Sequence, residues 1–177
     1  MVGKILQNNE QINKFQTEDF ITTGCFVTGS KEGFFTSSPL GSCVAIVAYD
    51  KSKQIGGLAH AMLPGKSVKG NDNKYAENII ANLIDELTDL GALKTNIEIC
   101  LVGGANVLKR KINNIGNNLI ESIYEILKKK KLPIKAKSLG GFERRSVSLD
   151  LSSGIVTYTV GDSINKVLFQ FTVEKQL

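Results

Sequence analysis

The stretch NIIANLIDELTDLGALKTNIEICLVGGANVL, residues 78–108, passes from one periodicity to another within a single run. Ile79, Ile80, Leu83, Ile84, Leu87 and Leu90 recur at threes and fours, which puts them on one face of a helix, and Gly91 ends the series. NIEICLV then reads as a buried strand running into the Gly103-Gly104 turn. Downstream, Ile115, Leu119, Ile120, Ile123, Ile126 and Leu127 repeat the helical spacing up to Pro133.

Outside this pair of helices the chain speaks in short β-branched and aromatic bursts broken by Gly, Ser, Pro and Lys. Upstream these are CFVTGSKEGFFTSSP and VAIVAYD, then YDKSKQIGG as a hairpin-type connection into LAHAML, which Pro64 and Gly65 stop. The polar loop SVKGNDN leads into the first helix. After Pro133 come IKAKSLG, RSVSLDLSSGIVTYTV with a hairpin turn at Ser153-Gly154, and KVLFQFTV. Two long helices serving about seven or eight strands predict a layered α/β (α+β) domain of mixed sheets, not a doubly wound one. Residues 1–19 lack clear periodicity and read as an N-terminal extension to a single domain over 20–177.

Composition agrees with an ordinary folded domain: 42% of the 177 residues are hydrophobic and 22% charged. The first residues carry too short an apolar patch for a signal peptide or membrane span, so a cytoplasmic chain without membrane insertion is expected. The net charge of +5 suits an acidic partner surface and does not require nucleic acid. Lys128 to Lys131 fall at the end of the second helix, where positive charge complements the macrodipole and a solvated terminus is the simpler reading.

The chemistry is narrowed by a single histidine, His60. One imidazole and scattered cysteines supply no recognisable metal set, and the chain contains neither G-x-G-x-x-G nor a P-loop. A thiol nucleophile, in contrast, needs only one base. Cys43 follows a Gly-Ser turn at the mouth of a strand, and a hairpin could bring His60 to the same edge. The N–H groups of Gly41, Ser42 and Cys43 would then lie beside the sulfur, as an oxyanion requires. The competing reading is a small buried cysteine and an ordinary histidine; Cys25 and Cys100 have no similar partner and read as structural.

LGSCVAIVAYD, GGLAHAMLP with His60 seventeen residues after Cys43, NKYAENII, GGANVL, IGNN and LGGFERRSVSLDLSSG, in that order, resemble the CheD family of chemoreceptor glutamine deamidases from about residue 20 to residue 160. The resemblance implies hydrolysis of glutamine side-chain amides on methyl-accepting chemotaxis proteins to glutamate and ammonia, without a cofactor or metal. It implies Cys43 as nucleophile and His60 as general base and acid, a fold similar to the catalytic domain of the cytotoxic necrotizing factor toxins, and a CheC-type phosphatase as a second partner.

Two positions depart from the family pattern. Where the family has a threonine that orients the histidine, this chain has Ser37, with Ser38 and Thr36 as alternatives if Pro39 shifts the register. IGNN has Asn117 where an arginine is common. Gly41, Ser42, Gly103 and Gly104 are candidates for the substrate groove, and tight turns at strand ends explain the glycines of GGAN equally well. The missing threonine also leaves room for a non-catalytic module that docks on receptors or a phosphatase.

Overall fold

The computed structural model describes residues 18–109, 111–112 and 114–172. In chain order the elements are β1 (Glu18–Phe20), β2 (Phe26–Ser30), β3 (Phe34–Leu40), β4 (Val44–Asp50), β5 (Ile55–Ala61), α1 (Ala76–Asp89), a 3-10 turn (Lys94–Asn96), β6 (Ile97–Gly103), α2 (Ile115–Lys129), β7 (Ile134–Leu139), β8 (Arg145–Asp150), β9 (Ile155–Val160) and β10 (Lys166–Gln170). The strands form two five-stranded sheets, an inner one ordered β2-β5-β4-β6-β7 and an outer one ordered β1-β3-β8-β9-β10.

β4 explains the layering. Every residue from Val44 to Asp50 is buried, because both faces of the strand are covered. Val44, Ile46 and Ala48 pack in one core with Ile79, Ile80, Leu83 and Leu87 of α1 and Leu119 and Ile123 of α2. Ala45, Val47 and Tyr49 pack in a second core with Phe35, Val147, Leu149 and Val156 of the outer sheet. The result is an α+β domain of three layers: helices, inner sheet, outer sheet.

The helix boundaries follow local chemistry. Gly91, at φ +105°, turns the chain out of α1, and the N–H groups of Leu90, Gly91 and Ala92 bond back to Glu86, Thr88 and Leu87. The Asn114 side chain caps α2 by accepting from the Asn117 N–H at 3.3 Å. Lys128 and Lys129 occupy its last turn and are exposed, a solvated helix end.

The two expected hairpins, β4–β5 and β8–β9, are antiparallel pairs. Ten strands are present among the described residues, more than the seven or eight expected. One addition is β1, three residues that pair in parallel with β3, so sheet pairing begins at Glu18, before residue 20; residues 1–17 lie outside the described part. Pro39 stays within β3, where the register with β8 shifts between Ser37 and Leu40. A bulge tolerates the missing N–H that a regular ladder would need.

Candidate active site

The site lies between the two sheets, at the end of β5 and the entry to β4. Leu58 and His60 alternate with Ala59 and Ala61 on β5, which turns the histidine toward the outer sheet. Ala45 pairs directly with His60, and Cys43, two residues earlier on the same face, packs against the inter-sheet core. The thiol is thus a diagonal cross-strand neighbour of the imidazole. From the outer sheet, Ser37 follows Phe35 on the inward face of β3 and is fully buried.

The hydrogen bonds settle where the protons are. Ser37 Oγ lies 2.9 Å from His60 Nδ1 and 2.7 Å from the Ile21 carbonyl. A carbonyl only accepts, so the one serine proton goes to Ile21 and Ser37 accepts from an Nδ1–H. His60 therefore presents an unprotonated Nε2, and 3.4 Å from that nitrogen is the Thr23 hydroxyl. The shift around Pro39 comes only after Ser37, so Ser37 keeps its inward face, and Thr36 Oγ1 bonds to Ser148 Oγ at 3.0 Å on the other face of the strand.

Burial works on Cys43 and His60 in the same sense, against the charged form of each. It pushes the Cys43 thiol above its ordinary value, an effect that hydrogen bonding from Thr23 opposes. It also pulls His60 below its ordinary value, with the Ile21 carbonyl opposing. Burial and hydrogen bonds account for both shifts, with no charged side chain among the described residues contributing. The resting pair at neutral pH is a thiol and a neutral imidazole.

The Cys43 backbone is clamped from behind. Gly104 donates to the Cys43 carbonyl at 2.7 Å and Ala105 to the Gly41 carbonyl at 2.8 Å. A Cβ on Gly103 would meet the Cys43 carbonyl, and one on Gly116, in the first turn of α2, would meet the Gly104 carbonyl. Gly103 and Gly104 are buried, and their glycines serve close backbone approach behind the thiol. Gly41 and Ser42, by contrast, line an open cavity of about 160 Å³ with Asn106, Val107, Leu108 and Ile115.

The loop FERR closes the same end. Gly140 donates to the Gly103 carbonyl at 3.0 Å and Asn106 to the Gly141 carbonyl at 2.8 Å. Arg145 holds that loop by bonding to Ser138 Oγ at 2.9 Å and to the Gly140 carbonyl at 2.7 Å. GGAN, IGNN and LGGFERR, scattered in sequence, thus meet around Cys43. Sequence reasoning missed Thr23 and Arg145. Nothing local marks Thr23, which sits in an ordinary ITTG loop, whereas Arg145 had a signal in the paired arginines after Gly-Gly.

Cys100 is buried and its thiol is pushed up to about 12, as a core residue. Cys25 is exposed, and its carbonyl accepts from the His60 N–H at 3.0 Å. Among the described residues no group of three or more His, Cys, Asp or Glu is placed to hold a metal ion. No helix among them is long and apolar enough to cross a membrane.

A three-layer α+β domain with a cysteine and a tautomer-fixed histidine gathered at one end of its inner sheet defines the class. Residues 62–160 match the sequence model of the family described as CheD chemotactic sensory transduction, and the chain belongs to that family. A protein of Chlorobium luteolum is 36% identical over 138 residues, covering 76% of this chain and 69% of its own. One from Methanococcus maripaludis is 41% identical over 132 residues, covering 72% and 86%. A third, from Clostridium kluyveri, is 40% identical over 136 residues, covering 72% and 84%. Each of the three is named "Probable chemoreceptor glutamine deamidase CheD".

Proposed function

We propose that this protein deamidates glutamine side chains of chemoreceptors in the cytoplasm, with Cys43 as nucleophile and His60 as base and acid. The observation that carries the reading is the ordered imidazole: Ser37 holds Nδ1–H at 2.9 Å and leaves Nε2 free to take a proton. The names of the family relatives supply the substrate class.

The thiol proton passes to Nε2 as Cys43 sulfur attacks the carboxamide carbon. N–H groups of the Gly41-Ser42-Cys43 turn are the candidates to hold the oxyanion. Imidazolium then protonates the departing nitrogen, the C–N bond breaks, and ammonia leaves a thioester. Water, deprotonated by the same Nε2, attacks the thioester carbon and restores the thiol, leaving glutamate. The serine in the family's threonine position supplies the same hydroxyl acceptor, which favours catalysis over a purely docking module. A CheC-type phosphatase is a second partner under this reading.

The test is incubation with the cytoplasmic helical region of a co-encoded receptor, followed by mass spectrometry for replacement of amide NH2 by OH. The parent should modify defined glutamines and Cys43→Ala should not. Receptor binding without modification by the parent would replace this reading with the docking module.

A further inference from the structure

We propose that the Thr23 hydroxyl is a fourth member of the site, beside Cys43, His60 and Ser37, carrying the proton from the Cys43 thiol to His60 Nε2; this rests on the Cys43–His60 chemistry proposed above. Thr23 Oγ1 lies 3.4 Å from Nε2, and Thr23 is also the side chain whose hydrogen bonding opposes the upward push of burial on the Cys43 thiol. It is thus a neighbour of both groups.

The proton inventory makes the relay possible. Because Ser37 gives its proton to Ile21 and accepts from Nδ1, the nitrogen facing Thr23 has a lone pair. In the resting state the thiol donates to Thr23 oxygen while the Thr23 O–H points at Nε2. On transfer the S–H bond breaks as a new O–H bond forms, and the original Thr23 O–H bond breaks as N–H forms. Threonine regains one proton, leaving thiolate and imidazolium. Nε2–H then donates to Thr23, whose hydroxyl donates to the thiolate and stabilises it against burial.

The loop that carries Thr23 is fastened on both sides. Ile21 N–H bonds to the Thr36 carbonyl at 2.8 Å, Gly24 N–H to the His60 carbonyl at 2.9 Å, and His60 N–H to the Cys25 carbonyl at 3.0 Å. Gly24 has φ +74° and packs on the Lys74 side chain. An exposed side chain on a segment held this firmly, by the same strand that carries His60, is positioned rather than incidental.

The experiment compares the parent, Thr23→Val and Thr23→Ser, all in a Cys25→Ala background so that the exposed thiol does not react. Iodoacetamide alkylation of Cys43 is followed by peptide mass spectrometry from about pH 6 to pH 10. Thr23→Val should alkylate about tenfold more slowly at neutral pH, its profile displaced upward by about one unit. Thr23→Ser should restore the parent profile, and all three should share one unfolding midpoint. A valine variant with the parent's profile, or a serine variant that fails to rescue it, overturns the relay. Deamidation of receptor glutamines is assayed in parallel. A shifted alkylation profile in a chain that never deamidates would keep the relay and sink the deamidase reading, while deamidation with an unshifted profile would do the reverse.

Discussion

Ser37 and His60 meet across the two sheets, with Oγ 2.9 Å from Nδ1, and the serine's single proton is already committed to the Ile21 carbonyl. Strand β3 of the outer layer therefore fixes the tautomer of a histidine on β5 of the inner layer. The site exists only where the sheets are stacked.

Removing that hydroxyl should uncouple the ring. Ser37→Ala removes the buried hydroxyl that accepts from Nδ1–H, at a cost of about 1–3 kcal/mol, and should lower deamidation on the order of tenfold to a hundredfold. Ser37→Thr keeps the hydroxyl and should retain activity. Nitrogen-15 NMR of the imidazole reads the tautomer directly: the parent should show Nδ1 protonated and the alanine variant a mixture.

The pH profile should have an acid limb below the ordinary histidine value of 6.5, because burial lowers the His60 pKa and a protonated ring cannot take the thiol proton. Free Cys43 thiolate, measured by ultraviolet absorbance against Cys43→Ala, should appear only above the ordinary thiol value of 9.0, because burial raises that group. A thiolate already present at neutral pH would contradict the neutral resting pair.

Acid should also weaken the fold through His60. Its folded pKa is lowered, so the unfolded chain binds the proton more readily between that value and 6.5. The contribution is complete above 6.5 and is lost as pH falls through the lowered value. Urea midpoints of the parent should therefore fall over this window more steeply than those of His60→Gln.

Cys100, with its thiol pushed up to about 12 in the inter-sheet core, should resist alkylation in the folded state at neutral pH and react on denaturation. Peptide mapping with and without urea distinguishes it from Cys43.

Gly116→Ala tests the clamp behind Cys43. In an exposed helix interior this change stabilises by about 1 kcal/mol. Here the new Cβ would run into the Gly104 carbonyl, so thermal unfolding should come earlier, and receptor deamidation should fall as the Gly104 bond to the Cys43 carbonyl is displaced.

Several elements were legible without coordinates because their causes are local. The spacing of Ile79 to Leu87 and of Leu119 to Leu127 gives the two helices, and Gly91 ends the first. Cys43 and His60 were candidates from residue chemistry and a family resemblance, and Ser37 from the resemblance alone; the structure brings Ser37 and His60 within hydrogen-bond distance. The strand count fell short because β1 is three residues long and is defined by its partner β3 rather than by its own pattern. Pro39 was ambiguous for a similar reason, since whether proline ends a strand or sits in a bulge depends on the ladder across from it.

The sequence by itself determined the helices, the hairpins and the residue types available for chemistry, since periodicity and turn preference act between near neighbours. Tertiary structure alone decided that β3 and β5 lie in different sheets, that Ser37 faces His60 between them, that GGAN and LGGFERR hold Cys43, and that the Thr23 hydroxyl lies 3.4 Å from His60 Nε2. Those relationships are set by which faces of the strands bury against each other, and a hydroxyl in a loop acquires its role only when packing brings a base within reach.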